Sequence, residues 1–120
     1  MIPRRQRSVW IDLRNFSPKW RERVDAMARF VPPNAVVIDL GCGERWLGRR
    51  SDLASYYPVD FVSRSPDTLV CDFNQGEFPE VRGTVSFLSG AFEYVADADA
   101  FVSKVAACAP RCIVSYNTFE

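Results

Sequence analysis

In the segment Ala35-Val36-Val37-Ile38-Asp39-Leu40 the first four residues are apolar at consecutive positions, not at alternate ones. A strand built from it is covered on both faces, as central strands of parallel sheets are and half-solvated antiparallel strands are not. Gly41-Cys42-Gly43 follows at once, with Asp39 just ahead of it. Two glycines there give bare backbone and free choice of dihedral hand where the strand ends.

The rest of the chain alternates as such a strand requires. In "FSPKWRERVDAMARFVPPN" Ser17 suits a helix N-cap and Pro18 the first helical position, while Trp20, Val24, Met27 and Val31 recur on one face. Pro32-Pro33 stops that helix. Residues 44–55 read as a second helix, with Trp46, Leu47, the Arg50 stem, Leu53 and Ala54 turned inward. Further strands are expected at "YYPVDF" (56–61), "TLVCDF" (68–73), "TVSFLSG" (84–90) and "RCIVSYN" (111–117). The segment "DADAFVSKVAACA" (97–109) reads as a helix between the last two, with Asp97 or Asp99 at the positive end of its dipole. Strands alternating with crossover-length segments predict an α/β fold: a Rossmann-like, doubly wound parallel sheet in the order 3-2-1-4-5. The organisation expected is a basic arm over residues 1–16 and one domain over residues 17–120.

Ligands of such sheets bind beyond the carboxyl ends of the strands, where the strand order reverses. Asp39, Asp60 and Asp72 each stand at or just past such an end. Singly, each is a plausible turn or cap residue. Three acids on one rim beside a Gly-x-Gly turn repel one another unless something rich in donors lies between them, and that pattern indicates a ligand.

Composition narrows the chemistry. The chain has no histidine, which excludes Ser-His-Asp and Cys-His catalysis and HExxH zinc chemistry. The four cysteines, 42, 71, 108 and 112, contain no CxxC pair and read as reduced, partly buried thiols, so no metal site is expected. Net charge is zero, yet residues 1–30 carry eight basic and three acidic residues. That segment reads as a solvated arm pairing with the acidic remainder; no RNA-recognition or helix-turn-helix signature accompanies it, so a nucleic-acid partner is not expected. The apolar runs are far short of a membrane span, and "MIPRRQRSVW" lacks the apolar stretch of a signal peptide, so the chain reads as cytoplasmic.

Among nucleotide ligands, a dinucleotide calls for Gly-x-Gly-x-x-Gly, and its last position here is Trp46, too bulky for close packing of helix on strand. No Gly-Lys-Ser/Thr P-loop occurs. A ligand bearing an amine, ribose hydroxyls and an adenine suits the rim better. Asp39 would attract the amine, Asp60 would accept both ribose hydroxyls, and Asp72 would accept from the adenine amino group, with Phe73 or Phe61 against the ring.

With these residues in view, the chain resembles the class I S-adenosylmethionine-dependent methyltransferases. "VIDLGCG" (37–43) looks like their first motif, and "PVDF" (58–61) resembles the acidic end of their second strand. "VCDFNQGEFP" (70–79) is similar to their adenine-holding segment, and "VSFLSGAFEYVADADAFVSKV" (85–105) to their fourth strand and following helix. The resemblance, carried through "RCIVSYN", runs from about Ser17 to the last residue. It implies that Asp39, Gly41, Cys42 and Gly43 line the methionine end of S-adenosyl-L-methionine. It places Asp60 at the ribose, Asp72 and Phe73 at the adenine, and Ser89, Gly90 and Ala91 near the sulfonium, with Phe61 also counted among the cofactor-binding residues.

The implied function is methyl transfer to a small-molecule or glycan-type acceptor, with Glu93, Tyr94 and Asn117 as candidates for orienting or deprotonating it. A non-catalytic binding or scaffold module on the same fold is the alternative. Arg45 replaces the family's third glycine, and its long side chain is expected to narrow the methionine pocket. The family also carries two further strands at one sheet edge, whereas Glu120 follows the fifth strand directly. The expectation is therefore either a longer polypeptide or a homodimer that covers the fifth-strand edge.

Overall fold

A computed structural model describes Asp12 and residues 16–116 of the chain. Five parallel strands form one sheet in the order β3-β2-β1-β4-β5. They are β1 (Val36–Leu40), β2 (Ser55–Asp60), β3 (Leu69–Val70), β4 (Val85–Leu88) and β5 (Arg111–Val114). This is the Rossmann-like α/β arrangement expected. The chain runs outward from β1 through β2 to β3 and then crosses back to β4, so the order reverses between β1 and β4.

Helix α1 (Pro18–Ala28) starts as its sequence dictates, the Ser17 hydroxyl accepting from the Lys19 N–H at 3.2 Å with Pro18 in the first turn. It ends before Val31, whose N–H closes a turn on the Ala28 carbonyl. Helix α2 (Ala98–Cys108) is capped by Asp97, which accepts from the Ala100 N–H at 3.1 Å, and carries Asp99 in its first turn.

Alternate residues of each strand feed two cores, one on each face. On one face Ile38, Leu40, Val59 and Leu88 pack with Phe101, Val105 and Cys108 of α2. Rings there pack edge-on or tilted, Phe73 and Phe101 with centroids 4.9 Å apart. On the other face Val37, Val85 and Phe87 pack with Met27, Val31 and Leu47. Asp39 shares the parity of Val37, so it lies on the α1 face.

Two expectations are corrected. Residues 44–55 hold no α-helix but a single 3-10 turn, Trp46–Arg49, and Ala54 is exposed, not inward. The turn begins at Arg45 in the left-handed region (φ 59°) without a side-chain cap. It is crossed by Gly48, where a Cβ would lie 2.7 Å from the Tyr56 ring. Arg50, in extended backbone, then forks onto Asp52 at 2.7 and 2.9 Å and donates to the Ala28 carbonyl at 2.8 Å, binding the segment to the end of α1. The third strand is also shorter than residues 68–73. Asp72 breaks it by accepting from the Asn74 N–H at 3.1 Å, which starts a 3-10 turn at Phe73–Gln75.

At the sheet edge β5 leaves Val114 at 51% and the following Tyr116 at 59% exposed. Cys42, Cys71 and Cys108 are buried and Cys112 is exposed, all as free thiols. No helix among the described residues is long and apolar enough to cross a membrane. The arm expected over residues 1–16, apart from Asp12 and Phe16, and the candidate Asn117 lie outside the described residues.

Candidate functional site

The turn after β1 is held in a shape that only glycines permit. Gly41 (φ +85°) and Gly43 (φ +50°) are both left-handed. A Cβ on Gly41 would stand 2.8 Å from the Ala91 Cβ, so the bare backbone lets the loop after β4 close in. A Cβ on Gly43 would meet the Phe16 ring at 2.5 Å.

The turn's amide protons are turned inward. Those of Gly41 and Cys42 go to the Val59 carbonyl at 2.8 and 2.9 Å, and that of Gly43 goes to Asp60 Oδ2 at 2.8 Å. Asp60 Oδ1 accepts from the Phe61 N–H at 2.8 Å, and Arg64 Nε donates to Oδ2 at 3.3 Å, both side chains being almost fully buried. The Arg64 guanidinium stands 5.5 Å from the Phe16 ring centroid and 5.8 Å from that of Phe61. Asp60 therefore braces the turn. A carboxylate has about four acceptor positions, so little of it remains for the pair of ribose hydroxyls expected there.

Asp39 is buried one strand over and accepts from the Tyr56 hydroxyl at 2.5 Å. Desolvation pushes its carboxyl up to about 7, with the Tyr56 bond pulling the other way and Asp60 adding to the rise. Burial, then Asp39 and Asp60, push the Cys42 thiol up, so it is held protonated and is a poor nucleophile.

The far wall comes from the loops after β3 and β4. Asn74 straps them together: its Nδ2 donates to the Tyr94 carbonyl at 2.9 Å and its Oδ1 accepts from the Ala96 N–H at 2.8 Å. The Asp72 N–H donates to Glu77 Oε1 at 2.8 Å. Ser89 Oγ accepts from Arg23 Nε at 2.8 Å, and a Cβ on Gly90 would lie 2.5 Å from Arg23 Nη2, so the glycine makes room for that guanidinium.

These groups enclose one cleft of about 190 Å³ at the carboxyl ends of the strands, where the order reverses. The structure brings together in its lining all the residues expected to hold a cofactor. Asp39, Gly41, Cys42 and Gly43 come from β1 and its turn, Asp60 and Phe61 from the end of β2 and just past it, Asp72 and Phe73 from the segment after β3, and Ser89 and Gly90 from the loop after β4. Tyr94 also lines it, whereas its neighbour Glu93 does not. Burial and Glu93 push the Tyr94 phenol up, which suits a hydrogen-bond donor better than a base.

Arg45 is not in the lining. Its guanidinium bonds Asp67 at 2.8 Å and lies over the Tyr56 ring at 5.7 Å, so it does not narrow the cleft, contrary to expectation. Sequence reasoning missed Phe16, Trp20, Arg23, Arg64 and Asn74, all of which line the cleft. Arg23 carried the one available signal, being a charge on a helix whose apolar face was already assigned.

Comparison with protein-family models, curated proteins and solved structures finds no match for this chain.

Proposed function

We propose that the cleft binds S-adenosyl-L-methionine and that the chain is a class I methyltransferase acting on a small-molecule or glycan-type acceptor. The observation that carries this reading is the convergence of Asp39, Asp60 and Asp72, from the ends of three adjacent strands, around one glycine turn in one cleft. The charge pattern fits the ligand's amino-acid end. Asp39 suits its ammonium group, and Arg23, along the Ser89–Gly90 wall, suits its carboxylate. Phe61 and Phe73 supply apolar faces for a base, and Asp72 an acceptor for its amino group.

Dinucleotides are disfavoured by the turn itself. Phosphate sites of that kind need outward N–H groups at the start of a helix. Here the amides of residues 41–43 are already bonded to Val59 and Asp60, and a four-residue 3-10 turn follows.

The bound sulfonium would supply an activated methyl group, which leaves the protein to align acceptor and donor and to exclude water. Ser89 and Gly90 would form the wall at that end, and Tyr94, in the same lining, would be the donor to an acceptor oxygen. Tyr94, held as a phenol and so a donor and not a base, also favours a second reading, a binding module without turnover. Calorimetry with S-adenosylhomocysteine and with a nicotinamide dinucleotide tests the ligand: binding of the first alone is expected, and binding of the second alone overturns the proposal. Methyl-transfer assays on small-molecule and glycan acceptors then separate enzyme from binding module.

A further inference from the structure

Two buried carboxylates lie under the glycine turn on the same face of the sheet, and the protein treats them differently. Asp60 receives two backbone N–H groups and a guanidinium. Asp39 receives a neutral phenol, that of Tyr56. We propose that Tyr56 is a positioning residue of the cleft, whose hydroxyl holds the Asp39 carboxylate and sets the charge Asp39 presents to the ammonium group of the bound ligand. The inference rests on the ligand assignment above.

The geometry suits the role. Tyr56 of β2 pairs in register with Val37 of β1, two residues before the partner of Asp39, so its side chain lies on the same face as Asp39 and its hydroxyl reaches that carboxylate. Gly48 leaves room for that ring: a Cβ there would lie 2.7 Å from Cε2 and 3.1 Å from Cδ2 and Cζ. Arg45, tethered to Asp67, lies over the ring at 5.7 Å. The hydroxyl is thus fixed in direction. Burial, then the Asp39 charge, push the phenol up, so it remains a donor throughout the range in which proteins stay folded.

The other groups facing Asp39 do not take over this function. Asp60 of β2 opposes its charge, and Arg45 favours it but stands beyond the Tyr56 ring. Cys42 of the turn is held as a thiol. Phe87, its neighbour on β4, is apolar, as is Val24, which lines the cleft from α1. Arg23 of α1 is turned onto Ser89. Removing the Tyr56 hydroxyl therefore withdraws the donor that favours the charged form of Asp39.

The test is the pH profile of S-adenosylhomocysteine affinity, from pH 5 to 9 by calorimetry, for the wild type, Tyr56→Phe and Asp39→Asn. In the wild type, affinity should rise about tenfold per pH unit and level off near the Asp39 midpoint, about 7. In Tyr56→Phe the midpoint should move up by roughly one to two units, lowering affinity about five- to fiftyfold at pH 7 while the two curves approach each other at high pH. Asp39→Asn should be weak and flat. A merely structural Tyr56 would lower affinity equally at every pH, and parallel curves with one midpoint overturn the inference.

The Asp39 carboxyl carbon, followed by NMR in the ligand-free protein, gives an independent readout. Its midpoint should rise by the same amount in Tyr56→Phe, and an unmoved midpoint overturns the inference. If S-adenosylhomocysteine binds at no pH, the functional reading fails and the NMR midpoint alone decides what Tyr56 does.

Discussion

Asp39→Asn should make this protein more stable at neutral pH. In the folded chain the Asp39 carboxyl is raised from 3.8 to about 7, chiefly because burial penalises its charge. A raised carboxyl holds its proton more tightly when folded than when unfolded. The stability that comes with that proton is fully present below about pH 4, is lost as pH rises, and is gone above about 7. A shift of about three units corresponds to roughly 4 kcal/mol between the two plateaus.

Asparagine keeps the shape and an oxygen for the Tyr56 hydroxyl but carries no charge at any pH. Its amide N–H₂ replaces an acceptor by a donor in a buried place, at a cost of about 1–2 kcal/mol. The expected balance is a gain of roughly 2–3 kcal/mol at pH 8, shrinking to a small loss at pH 4–5 where Asp39 itself is neutral. Urea unfolding at pH 5, 6, 7 and 8, followed by circular dichroism and by tryptophan fluorescence, measures the difference directly. Comparing variant with wild type at each pH cancels the titration of every other group. Parallel stability curves, or a variant less stable than wild type at pH 8, would refute the claim that the carboxylate is buried and poorly compensated.

Gly41→Ala should lose at least about 1–2 kcal/mol, read as a fall of several degrees in Tm, because φ is +85° and the new Cβ would meet Ala91 at 2.8 Å; an unchanged Tm would mean that the turn relaxes freely. Asp72→Ala should weaken S-adenosylhomocysteine binding by about 1–3 kcal/mol and lower Tm by a few degrees through the lost Asn74 cap, and unchanged affinity by calorimetry would move the adenine elsewhere. Asp60→Ala should act first on stability, by about 3–5 kcal/mol in urea unfolding, since it strands the buried Arg64 and two N–H groups; a loss of ligand affinity alone would restore the ribose role expected from sequence. The open β5 edge, with Val114 at 51% exposure, should drive self-association in light scattering, and Val114→Lys should suppress it; a wild-type monomer at high concentration counts against this.

Strand order and the cleft's address were legible because both follow from local signals. Consecutive apolar residues give buried strands, and an acid at each strand end marks the rim. The segment 44–55 misled because Trp46, Leu47 and Leu53 have helical spacing, whereas its backbone is decided by Arg45 in the left-handed region and by the ring beneath Gly48. Partnerships across the chain were not legible at all. Arg23 meets Ser89 at a separation of 66 residues and Tyr56 meets Asp39 at 17, and neither residue's own neighbourhood announces the contact. The bond from Gly43 to Asp60 was not legible either, since nothing in "PVDF" says that the carboxylate turns back to the glycine turn.

Two features of the turn argue in opposite directions, and together they specify the ligand more closely than either does. The inward amides of residues 41–43 make the turn a poor seat for an anion, so its glycines are there for shape. Asp39, by contrast, is a liability: a neutral residue of the same shape would remove most of a penalty of several kcal/mol at neutral pH. Costs of this kind concentrate at functional sites, where a group is kept for what it does when charged. A cleft that turns its N–H groups away and keeps a poorly compensated carboxylate in its lining suits the cationic ammonium group of the ligand proposed above. Arg23 and the aromatic rings beside Asp72, in the same lining, suit the carboxylate and the base of that proposed ligand.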